Sequence, residues 1–244
     1  MHYQMWIWSK FENVIAHFLI AMMEELIILY YVLFYMFLLM YYHYNNIISY
    51  KEVAYMGKIK LLHGSDHIIE KPDLLLGKTN NDYGRGFYCT QELSMAMEWA
   101  CKKNSDGFVN KYVLEQDSLN ILNLLDGKYN ILHWMALLLK NRTFRLSNEI
   151  AIDACDYIIE NFSIDLKAYD VIIGYRADDS YFSFAESFVQ NGLPLRSLNE
   201  ALHLGRLGTQ TVLISEKSFR NLTFDGADFA DKTVYYPKFI ARDS

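Results

Sequence analysis

The sequence predicts an α+β fold, and three observations carry that prediction. Short apolar runs at 59–62, 108–114, 170–175 and 209–214 read as buried strands. Other stretches put apolar residues at helical spacing, as Leu93, Ala96, Met97 and Ala100 do at i, i+3, i+4 and i+7. The two kinds of element follow one another without regular alternation, which argues for α+β. With 52% hydrophobic residues, the 244-residue chain has ample material for one core plus an extension.

Residues 1–55 differ in composition from the rest. Every residue from Leu26 to Tyr42 is apolar or aromatic, and no charged residue stands between Glu25 and Lys51. A membrane-spanning helix needs about 17–25 such residues, so 26–42 qualifies at the short end. Tyr30, Tyr31, Tyr35, Tyr41 and Tyr42 lie partly where interfacial aromatics would sit. Lys51, Lys58 and Lys60 on the C-terminal flank would keep the following domain inside the cell. No basic lead-in or small-residue cleavage site marks a signal peptide. Two other readings stand beside the transmembrane helix. One is a packed helix of a soluble protein. The other is a mis-assigned start, with Met56-Gly57-Lys58-Ile59-Lys60 opening the folded domain.

From residue 56 the elements can be taken in order. Ile59 to Leu62 is a short strand ending at His63, and Gly64 after it lets backbone approach a ligand closely. Pro72 to Asn81 is a polar, turn-rich connection. Phe87-Tyr88-Cys89 reads as a strand, and Thr90 as the N-cap of a helix to about Lys103, with Glu92 in its first turn. Phe108–Leu114 and Leu119–Leu124 read as strands, and Asn130–Lys140 as a helix. Ser147 caps a helix to about Phe162, with Ile150, Ala154, Tyr157 and Ile158 on its apolar face. Asp170–Tyr175 is a buried strand, followed by the charged loop 176–180 and a helix from Tyr181 to Gln190 that Asn191-Gly192 ends. Leu198–Leu204 is a short helix closed by Gly205. Thr209–Ile214, Leu222–Phe224 and Thr233–Tyr236 read as strands.

Charge and cysteine usage narrow the chemistry. The net charge is −6, and residues 56–244 hold 21 Lys+Arg against 25 Asp+Glu, so nothing global favours nucleic acid. Cys89, Cys101 and Cys155 show no metal-ligand spacing and read as buried thiols of a reducing interior. His67, His133 and His203 show none either, so no metal is expected. Ser65 has no His and Asp arrangement that would make it a nucleophile. Trp99 and Trp134 read as core.

Two stretches carry the functional signal. Leu61-Leu62-His63-Gly64-Ser65 and Asp82-Tyr83-Gly84-Arg85-Gly86-Phe87-Tyr88-Cys89-Thr90 each join a short strand to a chemically capable side chain. They resemble the first two signatures of ADP-ribosyltransferases of the diphtheria-toxin and poly(ADP-ribose)-polymerase type. Residues 56–244 as a whole resemble a small bacterial branch, a domain of unknown function. That branch is similar in carrying Gly-Tyr-Arg-Ala-Asp-Asp, here Gly174 to Asp179, and Leu-Gly-x-Gln, here Leu207 to Gln210.

The resemblance implies a split, mixed β-sheet core and NAD as substrate. His63 would bond a hydroxyl of the adenosine ribose, and the Gly64 backbone the nicotinamide carboxamide. Ser65 and Gly86 would lie along the same site. Tyr88 would stack on the nicotinamide ring, with Tyr83 a second face, and Arg176 would clamp the pyrophosphate. The third signature normally supplies a Glu that supports the developing positive charge; here the matching position is Gln210, which carries none. Asp178, Asp179 and Glu216 are the candidate substitute carboxylates. The catalytic triad implied is thus His63, Tyr88 and Gln210. The activity implied is transfer of ADP-ribose from NAD to an acceptor that is protein, nucleic acid or small molecule. Such a domain suits the toxin of a toxin–antitoxin or phage-defence pair, with a small antitoxin as partner, in a cytoplasmic, membrane-anchored setting. The alternatives are a silent NAD-binding or nucleotide-binding module and an RNA 2′-phosphotransferase of the same superfamily.

Overall fold

The structure is a computed structural model that describes residues 33–36, 57–146, 148–177, 179–204 and 208–243. The chain divides into two compact units, Met1–Glu52 and Val53–Ser244. In the first, 33–36 is helical and exposed, and the rest of the expected segment 26–42 lies outside the described residues. No helix among the described residues is long and apolar enough to cross a membrane.

The second unit is α+β, with two sheets and surrounding helices. Strand β1 (Lys58–Ser65) pairs with β3 (Gly107–Glu115), which pairs with β7 (Leu222–Ala230), all antiparallel. The second sheet runs β2 (Phe87–Cys89), β6 (Thr209–Leu213), β5 (Val171–Tyr175) and β4 (Ile121–Asn123), with β4 parallel to β5 and the other pairs antiparallel. The sheets meet at one bridge, where Leu62 N–H donates to Thr90 O (2.8 Å) and Thr90 N–H to Leu62 O (2.9 Å). That bridge joins the two stretches singled out in the sequence. Leu61, Phe87, Cys89, Tyr112, Val171 and Leu213 form an apolar cluster drawing on both sheets.

Helix α1 (Leu93–Cys101) lies against the three-stranded sheet, burying Ala96, Met97 and Ala100 with Val109 and Ala230. Helix α2 (Ile131–Asn141) carries Trp134, Met135, Leu137 and Leu138 into the largest cluster, over Leu122, Ile172 and Val212. Asn130 caps it, accepting from Leu132 N–H. Helices α3 (Glu149–Phe162), α4 (Asp179–Val189) and α5 (Leu195–Leu204) complete that side through Cys155, Ile158, Ala185, Val189 and Leu198. Asn191 adopts φ 60° just beyond α4, the left-handed conformation that ends a helix. All three cysteines are buried and free, and burial pushes each thiol pKa up.

Several expectations need correction. Thr233–Tyr236 is not a strand but part of helix α7 (Lys232–Asp243). Asp231 starts it by accepting from Thr233 N–H at 2.7 Å, and Tyr235 and Tyr236 pack onto the α1 cluster. Tertiary burial thus overrides the β preference of Thr-Val-Tyr-Tyr. The Leu222 strand runs to Ala230, because Asp225-Gly226 makes a bulge opposite Lys111 and Tyr112 instead of a turn. Thr90 does not cap α1. It pairs with Leu62, and its Oγ1 accepts from Glu92 N–H, which sets the cap two residues later. On α3 the buried face is Ala151, Cys155 and Ile158, while Ile150 and Tyr157 are exposed; Asn148 is the cap, accepting from Ala151 N–H. The expected caps Ser147 and Gly205 lie outside the described residues.

Candidate functional site

His63 lies inside β1, not at its end, opposite Asn110 of β3. Its Nδ1 sits 2.7 Å from Tyr88 O, and its ring stacks at 4.5 Å on Phe87. A carbonyl only accepts, so the neutral imidazole donates through Nδ1 and keeps Nε2 as an acceptor. Burial holds the imidazole pKa at about 4, with the positive charge of Lys102 adding to the shift against the Tyr88 hydrogen bond.

Gly64 is required by packing. A Cβ there would lie 2.0 Å from Ala96 O and 2.6 Å from Ala100 N, so only glycine lets α1 rest on β1. Its backbone is nonetheless well placed. Backbone polar groups alternate sides along a strand, and both of Leu62's face Thr90. Those of Gly64, two residues on, face the same edge beyond the end of the bridge.

Tyr88 crosses from β2 to the preceding turn. Its hydroxyl donates to Gly84 O (2.7 Å) and accepts from Tyr83 N–H (3.0 Å). The ring is thereby fixed as a platform, and burial pushes its pKa up. Tyr83 is not a second platform. It is 2% exposed, its hydroxyl donates to Tyr175 O at 2.7 Å, and it packs where a side chain on Gly174 would clash. Ser65 also stays off the cavity, accepting from Asn110 Nδ2 at 2.9 Å and donating to His67 O. Asn110 in turn accepts from Ile69 N–H at 2.7 Å, which holds the loop after β1 in place.

Gln210, on β6 opposite Gly174, is 3% exposed. Its Nε2 donates to Asp82 Oδ2 (3.0 Å) and to Tyr175 O (3.3 Å). Arg176 follows β5 directly, is buried, and lies 5.8 Å from the Trp99 ring. Glu216 sits on the short helix α6 (Glu216–Arg220), exposed and paired with Arg220 at 3.6 Å. Asp178 and the Asp179 side chain lie outside the described residues.

His63, Gly64, Gly86, Tyr88, Arg176 and Gln210 all line one cavity of about 570 Å³. That volume is in the range of small-molecule sites, about 300–1,000 Å³. Lys71, Lys78, Lys102, Arg142 and Arg176 bring positive charge to its walls, against the acids Asp73 and Asp82. Desolvation, with repulsion from Lys78, Lys103 and Arg176, lowers the Lys102 pKa. A chain of net charge −6 thus concentrates cations at one cavity, an arrangement that favours a polyanionic ligand. His67, Trp99 and Phe239 also line it. Trp99 is therefore no core residue, and its place outside the Leu93–Ala96–Met97–Ala100 stripe is the signal that could have shown this.

The residue that sequence reasoning missed is Asp82. It is 6% exposed, accepts from Ala177 N–H (2.9 Å) and Gln210 Nε2, and pairs with Arg142 at 2.8 Å. Burial raises its pKa against the pull of these donors. Before Tyr83-Gly84 it reads as an ordinary turn residue, and no spacing separates it from one. Among the described residues no group of His, Cys, Asp or Glu could hold a metal ion.

Fold and site define an α+β domain with a cation-lined cavity where two sheets meet. Residues 59–224 match the family described as Protein of unknown function (DUF3990), and the chain belongs to that family. No curated protein and no solved structure matches the chain.

Proposed function

We propose that this protein is an ADP-ribosyltransferase-like enzyme that consumes NAD. The observation carrying the proposal is that His63, Tyr88 and Gln210, from three separate strands, line a single cavity with five cationic side chains. The His63 Nε2 acceptor suits a ribose hydroxyl. The Gly64 N–H and C=O suit a carboxamide, which needs one acceptor and one donor. The anchored Tyr88 ring suits an aromatic face, and the cations suit a pyrophosphate.

In the reaction the bond between ribose C1 and the nicotinamide nitrogen breaks, and its electron pair leaves with nicotinamide. Positive charge builds on the ribose until the acceptor's lone pair adds to C1 and the acceptor loses a proton. Such a step needs orientation and electrostatic support more than a strong enzymatic nucleophile. Gln210 would accept from a hydroxyl of the nicotinamide ribose.

The test is nicotinamide release from NAD by the full chain, with His63→Ala as control. Release that vanishes in the variant is the expected result; no release from the wild type, or equal release from both, removes the proposal. A second reading, an RNA 2′-phosphotransferase, draws on the same cations. It predicts loss of a 2′-phosphate from RNA in place of release from NAD alone.

A further inference from the structure

We propose that Asp82 supplies the negative charge this site lacks at residue 210, acting through the Gln210 amide as a positioning residue. This rests on the NAD reading above. A cationic ribose needs negative charge nearby, and Gln210 has none of its own. Glu216 is exposed on the rim of another element and paired with Arg220. Asp73 is exposed, and its carboxylate caps the turn at Leu75. Among the described residues, Asp82 is the buried carboxylate of the cavity lining.

The hydrogen bonds fix how the amide sits. Both neighbours of Gln210 Nε2, the Asp82 carboxylate at 3.0 Å and the Tyr175 carbonyl at 3.3 Å, only accept. The nitrogen must therefore face them, and both its N–H groups are used. Oε1 remains as the amide's acceptor for a ligand hydroxyl. A carboxylate bonded to the N–H side polarises the amide and raises electron density on Oε1. The charge thus reaches the ligand through one side chain. Asp82 is itself held by Ala177 N–H and Arg142, so the geometry is set before any ligand arrives.

A double-mutant cycle on the full chain tests this, with Asp82→Asn and Gln210→Ala singly and together, reading steady-state nicotinamide release. Asp82→Asn should lower kcat by about ten- to a hundredfold, with KM changed by less than about threefold, as loss of a charge-assisted bond predicts. In the Gln210→Ala background the same change should cost less than about twofold, because the relay is already gone. A merely structural Asp82 would cost the same in both backgrounds. If Asp82→Asn does not give a folded protein, the exchange Asp82→Asn with Gln210→Glu becomes the test. It returns a donor–acceptor pair and a carboxylate to the site, and should release nicotinamide within about tenfold of the wild type. Full kcat in Asp82→Asn, equal losses in both backgrounds, or an inactive exchange variant overturns the proposal. Wild-type protein that releases no nicotinamide removes the NAD reading and this one with it. Release that ignores Asp82 removes this one alone.

Discussion

The two sheets contribute to the cavity in different ways. The three-stranded sheet offers a strand edge: His63 and Gly64 present one ring nitrogen and two backbone groups, each set by the register of β1 on β3. Its buried polar residue, Asn110, spends its hydrogen bonds on the end of β1 and the loop just after it. The four-stranded sheet offers a network: Asp82, Gln210, Ala177 and Arg142 come from separate parts of the chain and meet through side chains. One half of the site is therefore written into contiguous sequence, and the other is assembled by long-range contact.

The comparison can be broken most severely at the core of the four-stranded side. Trp134 is 1% exposed, and Trp134→Ala should cost about 3–5 kcal/mol in urea unfolding, with loss of ligand binding. On the three-stranded side, Gly64→Ala should cost about 1–3 kcal/mol or more, because its methyl meets α1 backbone that cannot move aside. The same melt should show β1 loosened in hydrogen exchange while β5 stays protected.

Subtler variants sharpen the contrast. His63→Ala should reduce nicotinamide release at least a hundredfold, and the lost bond to Tyr88 O should cost about 1 kcal/mol of stability. Tyr88→Phe keeps the ring but removes bonds to Gly84 and Tyr83, costing about 1 kcal/mol of stability. NAD binding by that variant, measured calorimetrically, should weaken less than by Tyr88→Ala.

The remaining contrast is a pH dependence. His63 titrates near 4 when folded and near 6.5 when unfolded. Above pH 6.5 both states are neutral and the group contributes nothing. As pH falls from 6.5 to 4, the unfolded chain takes up a proton that the folded protein refuses, so stability declines. The urea midpoint should fall less between pH 7 and 4.5 in His63→Gln than in the wild type.

Local pattern alone determined a good deal. The strands expected at 59–62, 87–89, 108–114, 170–175 and 209–214, and the helices expected to about Lys103 and over 130–140, followed from apolar spacing and turn residues, which act over a few residues, and each overlaps an observed element. His63, Tyr88, Gln210 and Arg176 were singled out by the resemblance rather than by local pattern, and the fold brings all four to one cavity. Tertiary structure alone decided the rest. Burial against α1 turned Thr-Val-Tyr-Tyr into helix and brought Phe239 to the cavity. Pairing of β7 with β3 made Asp225-Gly226 a bulge. Tyr83 went into the core because Gly174, 91 positions away, left room for its ring. Asp82 became a buried carboxylate held by three donors only when β6 brought Gln210 to it across 128 residues. A side chain's local neighbours set its backbone preference, but desolvation and partners reached through space set its chemistry, and those exist only once the sheets have met.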